Sequence, residues 1–237
     1  MTRRALSGLR RSMVVVAAAL LAACNQTINE DIEIAEGADH SGDGATMNGD
    51  VRVGRNADAS GSSFRTVNGR IHIEDGARVS DCATVNGGLE LGEGAETGDL
   101  DAVNGNLRLG RDATVNGHIR LVNGAIELKA GSRVSGDVDT VNGLIELIAA
   151  EVGGSLSNVN GGMRVTDGSV VHGDLLVRDA KEDPHHKKPP RIVIGRDSKV
   201  EGKLIFERPV RLFVHDSAAV GQIEGAEAVM FSGDEPG

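Results

Sequence analysis

Few residue types in this 237-residue chain are placed to do chemistry, and most of those recur. The two thiols are Cys24 and Cys82. Cys24 follows the run Leu21-Ala22-Ala23, where a small residue precedes a nucleophilic sulfur that can be acylated or alkylated. Cys82 stands where neighbouring repeats carry Leu100 or Val138, so it reads as a core side chain rather than a reactive thiol. The adjacent pair His185-His186 lacks a third ligand at a useful spacing, so no metal is expected. Asp75, Asp81, Asp99, Asp112 and Asp137 could supply acid–base pairs. They fall at repeat positions in turns, however, and none is set apart from the rest. No phosphate loop, nucleophile elbow or calcium nonapeptide is present, so neither catalysis nor a cofactor is expected.

The residue that recurs most regularly is asparagine. Asn29, Asn48, Asn68, Asn86, Asn104, Asn123, Asn142 and Asn160 follow one another at intervals of 18–20 residues, seven of them before Gly. Self-similarity at a near-fixed period marks a solenoid. Counting from the residue before each Asn, apolar residues return at +4 and +6, as in Ile71 and Ile73, Leu89 and Leu91, Leu107 and Leu109, and Ile126 and Leu128. The residue between them is polar: Arg52, His72, Glu90, Arg108, Glu127, Glu146 and Arg164. That alternation predicts a short strand with one buried face. Further inward pairs follow, such as Ala113 with Val115 and Ile119 with Leu121. A second corner, Val-x-Gly-x-aliphatic, absorbs the extra Val115-Asn116-Gly117 and returns at Val134–Val138, Val152–Leu156, Val171–Leu175 and Val200–Leu204.

Eighteen to twenty residues are too few for a helical repeat, which takes about 33 or more. Three short strands and three corners fit. The expected fold is therefore all-β: a parallel β-helix of about ten coils over 28–231, right-handed by the general rule for parallel crossovers. Coils are expected to start near Ile28, Met47, Val67, Val85, Val103, Val122, Val141, Val159, Lys188 and Arg208. Residues 179–190 read as an exposed insertion and 232–237 as a polar tail. The corner asparagines fit two roles, single turn formers or a ladder of amides bonded from coil to coil. Composition agrees with a narrow shaft. There are 33 Gly, no Trp or Tyr, and only Phe64, Phe206, Phe213 and Phe231. So few rings also disfavour stacking on sugars or bases.

Arg3, Arg4, Arg10 and Arg11 precede the apolar stretch Met13–Ala23. At eleven residues this stretch is shorter than the roughly 20 a spanning helix needs. With Leu21-Ala22-Ala23-Cys24 it resembles a bacterial lipoprotein signal and lipobox. The resemblance implies cleavage before Cys24, lipidation of its sulfur and amino group, and a tether at 24–27. It further implies a palmitate-bearing envelope protein, with Asn25 favouring the outer membrane. Several acyl chains, at about 0.8 kcal/mol per buried CH₂, anchor stably. Cleavage removes four Arg and leaves 21 basic against 35 acidic side chains, net −14, which opposes nucleic-acid binding. With Cys24 lipidated, no intramolecular disulfide can form.

The Val-x-Gly-x-aliphatic corners resemble those of bactofilins, polymer-forming β-helical bacterial proteins. Thr-Val-Asn-Gly-x-Ile-x-Ile is similar to the adhesin-like repeats of envelope proteins. Together the resemblances imply a non-enzymatic rod, held at a membrane, that serves as scaffold or interaction surface. Its partner is either a second copy met end to end or another envelope protein. The alternative from another class is a β-helix that binds or cleaves polysaccharide.

Overall fold

The computed structural model describes residues 26–179 and 188–236. Cys24, the signal-like segment and His185-His186 lie outside the described residues. Every described strand is parallel to its neighbours, and three sheets wind together into a β-solenoid of about ten coils, with no helix among the described residues. Sheet I holds the strands that follow each Asn corner, for example Leu89–Leu91, Leu107–Leu109 and Ile126–Leu128. Sheet II holds two-residue strands such as Glu96–Thr97 and Thr114–Val115. Sheet III holds the strands that run into the corner, such as Cys82–Asn86, Leu100–Asn104 and Ile119–Asn123. Sheets I and III have 11 strands each and sheet II has nine.

The register is the sequence repeat made physical. Leu89 pairs with Ile71 on one side and Leu107 on the other, and the same column continues through Ile126, Ile145, Met163, Ile192 and Leu212. A one-residue slip would turn every inward side chain outward, so the alternation itself fixes the register. The core is one aliphatic column per inward position, and nearly all of its residues are completely buried. At a spacing of about 4.8 Å between strands, ten coils make a rod about 48 Å long.

Phe64 is fully buried inside this narrow shaft. Its ring fits because the preceding coil offers Gly44 in the same column, where a Cβ would already come within 3.0 Å of the ring. Cys82 occupies the next level, and burial pushes its thiol up to about 12, which leaves it protonated and inert.

Three boundaries differ from the sequence expectation. The solenoid starts at the strand Gln26–Thr27, which pairs with Ala45–Thr46, inside the expected tether. The flanks of the insertion belong to coils: the Asp179 amide donates to Glu207, and Pro190 is buried with its carbonyl accepting from the Arg211 amide. Residues 232–236 fold back onto sheet I instead of trailing away, with Glu235 paired to Arg164.

A glycine at a corner can serve either a positive φ or a close approach of backbones. At the Asn-Gly corner the second demand is common to all seven. A Cβ on Gly49, Gly69, Gly87, Gly105, Gly124, Gly143 or Gly161 would lie 1.7–2.1 Å from a carbonyl oxygen of the coil before. Positive φ is added at Gly105, Gly124 and Gly143 (φ +146° to +149°), and at the sheet I to sheet II turn it is the sole demand at Gly94 (φ +64°), which has open space around it.

Three alanine substitutions separate these causes in urea-unfolding midpoints. Gly87→Ala, whose Cβ would lie 1.8 Å from the Gly69 carbonyl oxygen at a backbone without positive φ, forces neighbouring coils apart and is expected to cost about 2–3 kcal/mol, as overpacked cores do. Gly94→Ala meets open space but a left-handed backbone, and is expected to cost about 1–2 kcal/mol. Gly61→Ala, with open space and no positive φ, should stay within about 0.5 kcal/mol.

Candidate functional site

The eight sequence-selected asparagines come together along one edge of the rod, between sheets III and I. Each Nδ2 donates to Oδ1 of the asparagine one coil earlier: Asn48 to Asn29, Asn68 to Asn48, Asn86 to Asn68, Asn104 to Asn86, Asn123 to Asn104, Asn142 to Asn123 and Asn160 to Asn142. The distances are 2.7–2.9 Å. An amide carries both a donor and an acceptor, so it can continue such a chain in both directions, whereas a carboxylate cannot. Backbone bonds align the corner, with the Gly105 amide on the Asn123 carbonyl at 3.0 Å and the Gly124 amide on that of Asn142 at 2.9 Å. After the insertion the ladder ends on Arg208, whose Nη1 donates to Asn160 Oδ1 at 3.2 Å.

A second ladder runs along the Val-x-Gly-x corner. There each side chain accepts from the backbone amide one coil later: Asp81 from Asp99, Asp99 from His118, His118 from Asp137, Asp137 from Ser155, Ser155 from Asp174 and Asp174 from Lys203. The lengths are 2.8–3.0 Å. Asp81, Asp99 and Asp137 therefore hold consecutive coils rather than pairing for acid–base work. Asp75 does likewise for the Glu93 amide, and Asp112 adopts the positive φ of its turn. The sequence signal was the fourth position of the Val-x-Gly-x motif, where Asp, His and Ser share only the ability to accept.

Outward charges are mostly compensated. On sheet I, Arg108 meets Glu127 at 3.3 Å and Arg164 meets Glu146 at 3.1 Å. On sheet III, Arg120 lies between Asp99 at 3.3 Å and Asp101 at 3.5 Å. Desolvation holds the Asp101 and Asp139 carboxyls above their ordinary range despite nearby Arg120 and Arg178. On sheet II, His172 bridges two carboxylates, with Nε2 2.9 Å from Glu151 and Nδ1 2.8 Å from Glu201. The bonds to Glu151 and then Glu201 raise the imidazole pKa above its ordinary 6.5.

Sequence reasoning missed a hollow of about 580 Å³ on the outer face of sheet I in the first coils. It opens where Gly88 interrupts a column that carries Asp50, Arg70 and Asn106 in neighbouring coils. Arg52 and His72 on its wall are paired, to Glu74 and Glu90 respectively. Arg70 is exposed and has no side-chain partner among the described residues. Among those residues, no group of three or more His, Cys, Asp and Glu is placed to hold a metal ion, and no helix is long and apolar enough to cross a membrane. No family model, curated protein or solved structure matches the chain.

Two measurements check the ladders and the bridge. Asn104→Asp removes the donor to Asn86 and should lower stability by about 1 kcal/mol at neutral pH. The deficit should shrink below about pH 4, where a protonated acid regains an O–H donor. For His172, a raised folded pKa means the bridge contributes fully below pH 6.5 and its contribution fades as pH rises through the raised value. NMR titration should place its midpoint above 6.5 and show it falling in Glu151→Gln.

Proposed function

We propose that this chain is a non-enzymatic envelope lipoprotein whose solenoid serves as a rigid scaffold or interaction rod. The observation that carries the reading is the pair of corner ladders. Side chains capable of chemistry recur at the corners, and there they bond the next coil. This arrangement resists bending and slip, and rigidity is what a scaffold requires. The lipobox-like Leu21-Ala22-Ala23-Cys24 supports an anchor in the membrane, and Asn25 supports the outer membrane over the inner.

Bactofilin-like self-association belongs to the same proposal. Met230 is in register with the buried Val214, on the inward side of the last sheet I strand, yet it is 59% exposed. Val229 beside it is 56% exposed. Exposure of the inward Met230 leaves the aliphatic shaft open at that end, the outward Val229 adds apolar surface beside it, and the strand Ala228–Phe231 presents an unpaired edge that a second copy can cover.

One feature favours the polysaccharide-binding alternative: unpartnered Arg70 in the sheet I hollow beside Asp50 and Glu90. A glycan panel separates the readings. Binding or turnover abolished by Arg70→Ala would support the alternative, and a silent panel supports the scaffold.

The anchor is tested by palmitate labelling, which should mark the wild-type chain and not Cys24→Ser; equal labelling would refute it. Self-association is tested by sedimentation of the solenoid across concentration. Growing species are expected, and a strict monomer at high concentration would remove the polymer reading.

A further inference from the structure

The outward column of sheet I changes character along the rod. Over the first eight coils it is charged or imidazole-bearing, from Glu33 to Arg164. It then becomes Val193, Phe213 and Val229. Val193 faces outward but is only 2% exposed, so its cover comes from outside the solenoid wall. The segment 232–236 crosses this face, antiparallel to the strand Arg191–Ile194. Asp234 meets Arg196 at 2.7 Å, Glu235 meets Arg164, and the Pro236 carbonyl accepts from Arg191 at 2.5 Å. Pro236 is buried at the far end of this path.

The receiving surface has the features of a peptide site. Its floor is apolar, and the Arg191 guanidinium lies 5.1 Å above the Phe213 ring. Its rim is cationic, with arginines at 164, 191, 196 and 211. Arg191 Nε is buried without a hydrogen-bond partner. Arg211, in register with Arg191, is exposed and has no side-chain partner among the described residues. The strip therefore offers more donors than segment 232–236 uses.

The contacts that hold the segment are of a displaceable kind. The Asp234 side chain is 90% exposed and that of Glu235 is 56% exposed. Ion pairs in such surroundings contribute little each and weaken with salt.

We infer that the outer face of sheet I around Val193 and Phe213 is a docking site for an extended acidic peptide segment of a partner protein, and that residues 232–236 occupy it in cis as a removable strap. The partner segment needs carboxylates spaced to reach Arg196 and Arg164 and a compact apolar residue over the floor, the chemistry of Asp234-Glu235-Pro236. This inference is independent of the membrane anchor and of end-to-end assembly.

The test uses a synthetic peptide of residues 232–237, Ser-Gly-Asp-Glu-Pro-Gly, carrying a fluorophore. It is titrated against the unmodified chain and against the full-length double variant Asp234→Lys, Glu235→Lys, whose strap is repelled by the arginines. Both substitutions lie on exposed side chains outside the solenoid, so the coils are retained. A chain ending at Phe231 gives a second released form. The released forms should bind the peptide saturably, and at least about tenfold more tightly than the unmodified chain, which a strap closed in nine molecules of ten would produce. Binding should weaken as salt is raised and fall further in a released form carrying Arg196→Ala. Absence of saturable binding to both released forms, equal affinity for released and unmodified chains, or indifference to Arg196→Ala would each overturn the proposal.

Discussion

The closest constraint in the molecule is the approach of one coil to the next at the Asn-Gly corner. Parallel pairing fixes the coil spacing at about 4.8 Å. At the corner this brings the Gly105 Cα so near the Gly87 carbonyl that no side chain fits between them. With glycine there, the asparagine before it lies directly over the asparagine of the coil below, and their amides bond at 2.9 Å or less. The interior columns inherit the same stacking. Leu107 sits between Leu89 and Ile126 in the same register that the inward–outward alternation specifies, so corner and core enforce one stacking. Ladder, core columns and charge rows all follow from the same short repeat distance.

Much of this was legible in the sequence because a solenoid writes its contacts at a constant interval. The +4 and +6 positions identified the inward columns, and the asparagine spacing identified the ladder edge. What stayed hidden is what breaks the period or hides behind residue variety. The demand shared by all seven corner glycines comes from a carbonyl in another coil, about 18 residues away, and only Gly105, Gly124 and Gly143 add a positive φ of their own. Asp99, His118, Asp137 and Ser155 form one ladder, but as residue types they look unrelated. Arg208 closes the asparagine ladder from beyond the insertion, at a distance in sequence that no spacing rule anticipates. The burial of Phe64 depends on Gly44 in the preceding coil. The hollow at Gly88 arises from a missing side chain, and a missing side chain leaves no motif.

The chemistry available at the surface agrees with this division. Of the carboxylates that stand out in the sequence, Asp75, Asp81, Asp99 and Asp137 accept from backbone amides of the next coil, and Asp112 serves its turn. Among the described residues, side chains without a partner include Arg70 in the sheet I hollow and Arg211 beside the strip crossed by residues 232–236, as well as carboxylates such as Glu33, Glu93 and Glu96. In a chain with an acidic excess, the arginine-rich strip at 164, 191, 196 and 211 is the surface on which the proposed acidic peptide segment would dock. The exposed Met230 at the last coil would serve a different kind of contact in the proposed self-association, apolar and edge-to-edge. Proposed scaffold, strap and end therefore use separate surfaces and do not compete.

The central claim is that the corners lock all coils into one continuous stack. Native-state hydrogen exchange followed by NMR tests it directly, using the corner amides of Gly87, Gly105 and Gly124, which donate to Asn104, Asn123 and Asn142. Locked corners predict slow exchange at these three sites, comparable to the buried strands Leu107–Leu109 and Ile126–Leu128 beside them, with fraying confined to the first and last coils. Fast exchange at the three corner glycines, while the neighbouring strands remain protected, would contradict the account.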